Sequence, residues 1–394
     1  MEAVVNDPVA ADVKDGKAKS AAKAPAVTVV KAAASEILAA LHPVSGIIER
    51  RNTLPITGNV LIAKRGNTLE LTGTDMELQM RTHAEIGHGT SEVATTVNAR
   101  KLVEILRAMP AEQVTTLTLN GEKVVVSGGK SKFTVQTLPA ADFPLVVQAK
   151  EVNATIKLAQ KTLLSLIGQV KYAMASNDLR YFLNGMLMET EGKAVRVVAT
   201  DGHRLATTEA TVEEEMATST VILPRKAVLE LERLLKDDDS ETEIVLTANQ
   251  AIFRFAGLEL TTKLIEGKFP DYKRVIPHNN KTKVTFERTM LLSALERARL
   301  LTSDKFKGVK MTFEGDTMTI ESSNAEQEEA REEIGIDYVG AALSIGFNVD
   351  FLIGAIDNMT SDTVTIALMD GQASALLTEP NAPEMRAVVM PMRI

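Results

Sequence analysis

PRKAVLELERLL, residues 224–235, sets Val228, Leu231, Leu234 and Leu235 on one side of a 3.6-residue period, the mark of an amphipathic helix. The pattern stands twice more. NARKLVEILRAM (98–109) carries Leu102, Ile105, Leu106 and Met109, and NVDFLIGAIDNM (348–359) carries Leu352, Ala355, Ile356 and Met359. The three starts lie about 125 residues apart, a period that points to repeated units. An earlier helix keeps the same spacing: 32–45 with Ile37, Leu38 and Leu41, 161–174 with Leu163, Leu166, Ile167 and Val170, and 288–301 with Leu291, Ala294, Leu295 and Ala298.

The stretches between agree. Two β-patterned runs follow each first helix, parted by turn signals at Gly66-Asn67, Glu191-Gly192 and Gly315-Asp316. The second run ends at Thr74-Asp75, Thr200-Asp201 and Ser323-Asn324. Beyond the second helix, alternating runs break at Asn120-Gly121, Asn249-Gln250 and Asp370-Gly371. Each unit closes on Phe143-Pro144, Phe269-Pro270 or Met390-Pro391. The reading is α+β: three copies of one unit, two helices on β-sheet, over 27–150, 151–275 and 276–394, behind a disordered tail, 1–26. That tail has no apolar stretch for a secretory signal, and its acids and lack of Arg speak against a transit peptide. A weak contact with DNA or a partner through Lys14, Lys17, Lys19 and Lys23 is the alternative.

Composition narrows the classes. With 394 residues, 45% hydrophobic and 24% charged, the chain can bury two or three domain cores. A net charge of −8 excludes gripping nucleic acid by bulk charge. Without cysteine there are no disulfides, thiolate metal sites or thiol nucleophiles. Five scattered His give no pair at zinc spacing, so no metal is expected. Few aromatics and no Trp leave little for stacking single-stranded bases. No run approaches the ~18 apolar residues of a membrane span.

Each helix has one apolar stripe and must cover a sheet face, so three units in a row present open sheet edges at their ends. Two chains joined head to tail close six units into a ring. Twelve helices at roughly 8–10 Å spacing imply a circle about 31–38 Å across, wide enough to surround a duplex. Arg100, Lys101, Arg107, Lys161, Lys171, Arg225, Lys226, Arg233, Arg297 and Arg299 lie on the helices, while Glu213–Glu215, Asp237–Asp239 and Glu326–Glu333 put acid elsewhere. A basic lumen in an acidic shell and plain solvated helix faces both fit this placement.

ATDGHRLA (199–206), FPDYKRVIP (269–277), TLPAADFP (137–144), YFLNGMLMET (181–190), FKGV (306–309) and VVMPMRI (388–394) carry a resemblance to the bacterial DNA polymerase III β subunits, the sliding clamps. It covers residues 27–394. It implies a head-to-tail homodimeric ring around double-stranded DNA, without sequence preference, that tethers the DNA polymerase III catalytic subunit in the bacterial cytoplasm. No cofactor is implied; an ATP-driven clamp loader and other proteins with short apolar clamp-binding peptides are.

Carried over by position, the resemblance implies a partner-peptide pocket of Leu183, Thr200, Gly202, His203, Arg204, Leu205, Pro270, Arg274, Val275, Phe306, Asn348, Phe351, Ser374, Val389, Met390, Pro391, Met392 and Arg393. Apolar and adaptable Met side chains with Arg and His on the rim suit a short apolar peptide. Phe351 stands where a Tyr is common and Gln372 where an aliphatic is common. DNA contacts implied are Arg51, Arg100, Lys101, Asn177, Arg180, Tyr181, Phe182, Arg225 and Lys226, cations that suit phosphate oxygens; Phe182 replaces a familiar Tyr. Ring closure is expected between the 122–135 edge, with Lys130 and Lys132, and 296–301 with Glu328, Glu329, Glu332 and Glu333, anchored by Leu300 and Leu301.

Two other classes were weighed. Asp201, His203 and Arg204 form an acid, a base and a cation in one turn, yet no nucleophile elbow, P-loop or metal-spaced carboxylate set accompanies them. A repeat scaffold that binds proteins but no DNA would share the fold and the pocket.

Overall fold

The structure is a computed structural model that describes residues 26–49, 54–87, 92–147, 151–303 and 305–394. The expectations for Arg51 and for residues 1–25 lie outside the described residues.

The first unit runs β1 (Val27–Ala33), α1 (Ala34–Ile47), β2 (Asn59–Arg65), β3 (Thr68–Thr74), β4 (Leu78–Glu85), β5 (Val93–Asn98), α2 (Ala99–Ala108), β6 (Val114–Asn120), β7 (Lys123–Gly128) and β8 (Ser131–Leu138). The second runs β9 (Ala154–Ala159), α3 (Gln160–Val170), β10 (Gly185–Thr200), β11 (Arg204–Pro224), α4 (Arg225–Leu234), β12 (Glu241–Leu246), β13 (Gln250–Phe255) and β14 (Leu258–Lys263). The third runs β15 (Thr282–Glu287), α5 (Arg288–Arg299), β16 (Gly308–Glu314), β17 (Thr317–Ser323), β18 (Glu329–Gly335), β19 (Leu343–Asn348), α6 (Val349–Asp357), β20 (Thr363–Leu368), β21 (Ala375–Thr378) and β22 (Arg386–Val389).

Every helix follows directly on a strand, and the residue between them often caps it. Asn98 accepts from the Lys101 amide, Asn348 from that of Asp350, and Glu287 from those of Thr289 and Met290. The stripes face inward: Leu163, Leu166, Ile167 and Val170 are buried, as are Leu291, Ala294, Leu295 and Ala298. Ile105 and Leu234 are only half-buried at the stripe margin. The first helix begins two residues late, at Ala34, and its buried face is Ala34, Ile37, Ala40, Leu41, Val44 and Ile47, with Leu38 half out. The helix expected over 161–174 ends at Val170 and tightens to a 3₁₀ turn through Ala173. Each fully buried Leu or Ile of these stripes contributes roughly 1.5–3 kcal/mol, which far outweighs any capping bond.

In the first and third units the strands form two ladders of four, ordered β1-β6-β7-β8 with β5-β2-β3-β4, and β15-β20-β21-β22 with β19-β16-β17-β18. In the second, β9-β12-β13-β14 is one set, and β10 and β11 are long enough to make the other. Gly185–Thr190 pairs with Ser219–Pro224, the counterpart of β2 with β5; Ala194–Thr200 pairs with Leu205–Thr211, the counterpart of β3 with β4. The expected turn at Glu191-Gly192 is a break in register on both sides of Gly192, which adopts φ +59°.

One rule joins the units. β4 of the first pairs with β14 of the second, from Leu78↔Thr262 to Thr82↔Leu258. Its counterpart β11 pairs with β22 of the third, from Arg204↔Val389 to Thr207↔Arg386. Two edges stay open among the described residues. β18 has β17 alone as neighbour, and β8 meets β5 only at Thr137 and Leu138.

Candidate functional site

The turn that ends each second run is the same piece of chemistry three times. Asp75 Oδ1 accepts from the amides of Glu77 and Leu78 at 2.9 and 2.7 Å, and Asp201 Oδ1 from those of His203 and Arg204 at 2.9 and 3.0 Å. Asn324 Oδ1 accepts from Glu326 and Glu328 at 3.1 and 2.9 Å. A short side chain whose oxygen reaches the backbone two residues on is what fixes such a turn. The next unit then docks on it: the Lys263 amide donates to Glu77 O and the Met390 amide to His203 O, each at 2.9 Å.

The two junctions diverge from there. At the first, the other oxygen of Asp75 takes the ammonium of Lys226, which also bonds Glu49 at 2.7 Å. Burial alone would lower the Lys226 pKa, but the bonds to Asp75 and Glu49 raise it. At the second junction, Asp201 Oδ2 pairs with Arg204 Nε of its own turn at 3.0 Å. The Arg204 guanidinium then lies 4.7 Å from the Phe351 ring centroid and 5.4 Å from that of Tyr172. It passes over Gly354, where a Cβ would come within 3.1 Å of it. His203 stacks on Phe351 with centroids 6.2 Å apart. The first junction is filled by a lysine; the second presents aromatic and cationic surface.

The structure brings much of the expected pocket together here: Thr200, Gly202, His203, Arg204, Phe351 and Met390 share the turn and its docking. Asn348 caps α6 and donates to Phe306 O at 3.5 Å. Phe306 and Met390 are substantially exposed. Leu183, Leu205 and Val389, expected on the wall, are fully buried core side chains. Arg274 is 87% exposed and pairs with Asp271 at 2.8 Å. Pro270 lines a separate hollow of about 650 Å³ with Phe269 and Tyr272, and exposed Val275 caps the 3₁₀ turn at Tyr272. Ser374 O accepts from Asn280 Nδ2 at 2.8 Å, and Gln372 is exposed on the turn held by Asp370. Pro391 leads to Met392, whose amide donates to Gly346 O at 2.8 Å. Beside this segment lies a hollow of about 770 Å³ that Phe306, Met392 and Arg393 share with Lys310, Glu321 and Arg331.

The residues expected on DNA sort into two kinds. Arg180 is not a free cation: it holds Asp178 at 2.8 Å and donates to Asp201 O at 3.1 Å, and its guanidinium abuts Gly202. Those bonds from Arg180 pull the Asp178 carboxyl down to about 2. Lys226 is committed to two carboxylates, and Arg225 donates to Met174 O at 3.2 Å. Asn177 adopts φ +59°. Tyr181 is 58% exposed, with Phe182 edge-on to it at 5.9 Å. On α2, Arg100 pairs with Glu104 at 2.8 Å, and Lys101 is exposed without an ion pair among the described residues. Most helix cations are thus matched locally; Lys161, Lys171, Arg233, Arg297 and Arg299 also hold carboxylates.

At the open edges, Lys130 and Lys132 are exposed beside β8, and Leu300 is 78% exposed with Leu301 half-buried behind it. Glu332 is held by Arg297 at 2.6 Å and Glu333 by Arg331 at 2.9 Å, while Glu328 accepts from Asn324 at 2.6 Å and Glu329 is exposed. Sequence reading missed Phe133, an exposed aromatic on β8, and Tyr172, whose hydroxyl is buried without a partner and is pushed up by that burial.

Comparison with known proteins gives three matches to one family. The N-terminal, central and C-terminal domain models of the DNA polymerase III beta subunit match residues 29–147, 157–271 and 273–393. The beta sliding clamp of Pseudomonas putida is 40% identical over 360 residues, 91% of this chain and 98% of that protein. That of Escherichia coli K12 is 39% identical over 359 residues, with the same coverage. The crystal structure of the Pseudomonas aeruginosa sliding clamp bound to griselimycin superposes with a TM-score of 0.89 at 37% identity, over 94% of this chain and 99% of that one.

Proposed function

The chain belongs to the DNA polymerase III β subunit family and is a DNA sliding clamp, and from that premise we propose that two copies close head to tail into a ring around duplex DNA. The observation that carries the ring is the pair of open edges. The junctions join β4 to β14 and β11 to β22; by the same rule β18 takes β8 of a second copy, the two strands left without a neighbour. An open edge invites pairing, and closing the ring removes both. Lys130 and Lys132 on one side face the Glu328–Glu329 side of the other, which fixes register more than it adds affinity. Leu300 and Phe133 supply exposed apolar surface there.

Retention is topological. A closed ring cannot leave a circular duplex however weak its contacts, and phosphate contacts without sequence preference let it slide. Arg100, Lys101 and Tyr181, more exposed than Arg180 and Lys226, are the best placed to touch DNA. The chain performs no chemistry of its own: both oxygens of Asp201 brace the turn and Arg204, leaving no free acid beside His203. Partners dock at the second junction through short apolar peptides. These are the DNA polymerase III catalytic subunit, an ATP-driven loader that opens the ring, and other clamp-binding proteins of the bacterial cytoplasm. Griselimycin, bound by the Pseudomonas aeruginosa clamp, takes the same site.

The test is retention on nicked circular DNA at high salt after loading with a clamp loader and ATP, followed by linearisation. Retention that ends on linearisation supports the ring; retention lost to salt alone leaves a scaffold that touches DNA electrostatically. Deleting residues 390–394 should abolish polymerase and loader binding and leave the dimer.

A further inference from the structure

Gly346 lies on β19 opposite Lys310, and Gly308 is its diagonal neighbour on the same sheet face. β10 and β16 both open on a glycine, and in the second unit the position matching Gly346 is Ile222, paired with Leu187. Ile222 is buried in a cluster with Phe269, Tyr272 and Ile276 of the segment leaving that unit. In the third unit the place of that isoleucine side chain is taken by main chain. The Met392 amide donates to Gly346 O, and a Cβ on Gly346 would stand 2.5 Å from Met392 O and 2.7 Å from two side-chain carbons of Ile394. The φ of Gly346 lies outside the left-handed region, so the glycine serves close approach and not an unusual conformation.

We infer that Gly346 is a positioning residue of the partner pocket. Its missing side chain lets Met392–Ile394 lie flat on β19, and this sets where Met390 and Pro391 stand against His203 and where Met392 stands beside Phe306. The inference rests on the pocket reading above. It makes the wall dividing the pocket from the 770 Å³ hollow depend on one absent methyl group.

The experiment is griselimycin titration of the full-length protein, by calorimetry, for wild type and three glycine variants. Gly346→Ala should weaken binding tenfold or more at unchanged dimer mass and circular dichroism. Gly308→Ala, where Ile394 is at an ordinary 3.6 Å, and Gly335→Ala, with nothing within 4 Å, should bind as wild type does. Ile394→Gly added to Gly346→Ala removes two of the three crowded contacts and should recover part of the loss; a purely structural defect in the sheet would not be rescued this way. This double variant is also the one to read if Gly346→Ala melts early. Equal binding by wild type and Gly346→Ala overturns the inference and leaves the pocket. Failure of wild type to bind overturns the pocket reading, and the inference with it.

Discussion

The guanidinium carbon of Arg204 stands 4.7 Å from the centre of the Phe351 ring, so a cation of the second unit is seated on an aromatic face of the third. Tyr172 flanks it at 5.4 Å and Asp201 pairs with it at 3.0 Å. At the preceding junction the equivalent aspartate, Asp75, takes a lysine from the next unit instead. One turn thus serves two ends: it closes one seam with a salt link and dresses the other as a surface.

Phe351→Ala removes both the cation–π seat of Arg204 and the stacking partner of His203. A cation–π pair is worth about 0.5–2 kcal/mol, so griselimycin affinity should fall about tenfold. Phe351→Tyr keeps the ring and should bind within about threefold of wild type, both read by calorimetry.

Lys226→Met leaves the Asp75 carboxylate, 11% exposed, without its cation, a loss of about 1–3 kcal/mol by urea unfolding. The folded pKa of Lys226 is raised above its ordinary 10.5, so its contribution is fully present below that value and is lost as pH climbs through the higher folded one. The gap between wild type and variant should be flat through neutral pH and shrink only above about 10.5. Arg100→Glu, at a side chain 76% exposed, should leave stability unchanged and impair DNA-dependent function.

Met76 and Gly202 occupy the same turn position at φ +79° and +89°. A left-handed residue with a Cβ costs roughly 1–2 kcal/mol, partly offset by the flexibility glycine adds to the unfolded chain. Met76→Gly should therefore raise stability by about 0.5–1 kcal/mol. Gly202→Met should lower it by more than that, since a Cβ there meets Arg180 at 2.9 Å. Thermal melts of the two variants decide this, and equal and opposite shifts would count against it.

Leu300→Asp puts a charge on the apolar surface proposed for ring closure. Light scattering should show monomer at micromolar concentration, with circular dichroism unchanged because the side chain makes little contact within its own chain. A dimer as tight as wild type would move the closure elsewhere.

The repeat was legible because its landmarks are local. Thr74-Asp75 and Thr200-Asp201 read as turn ends, and both aspartates brace their turns through amides two and three residues on. What the sequence hid depends on distant partners. Lys226 looks like any helix cation until Asp75 and Glu49, from another unit, are beside it. Tyr172 reads as the end of a stripe, yet it flanks Arg204. Leu183 and Leu205 carry apolar chemistry that suits a wall or a core equally, and only the packing assigned them to the core. Gly346 leaves no trace at all, since the need for a missing side chain is set by Met392, dozens of residues further on.

The junctions β4 with β14 and β11 with β22 are each crossed by the chain itself, through the segments that lead from one unit to the next. The pairing of β18 with β8 has no such crossing. A hoop of two chains therefore has four seams backed by covalent thread and two that are only stitched, and the stitched ones sit diametrically opposite. Force applied anywhere around the hoop parts one of those two, and the other, left whole, becomes the pivot on which the gap swings shut again.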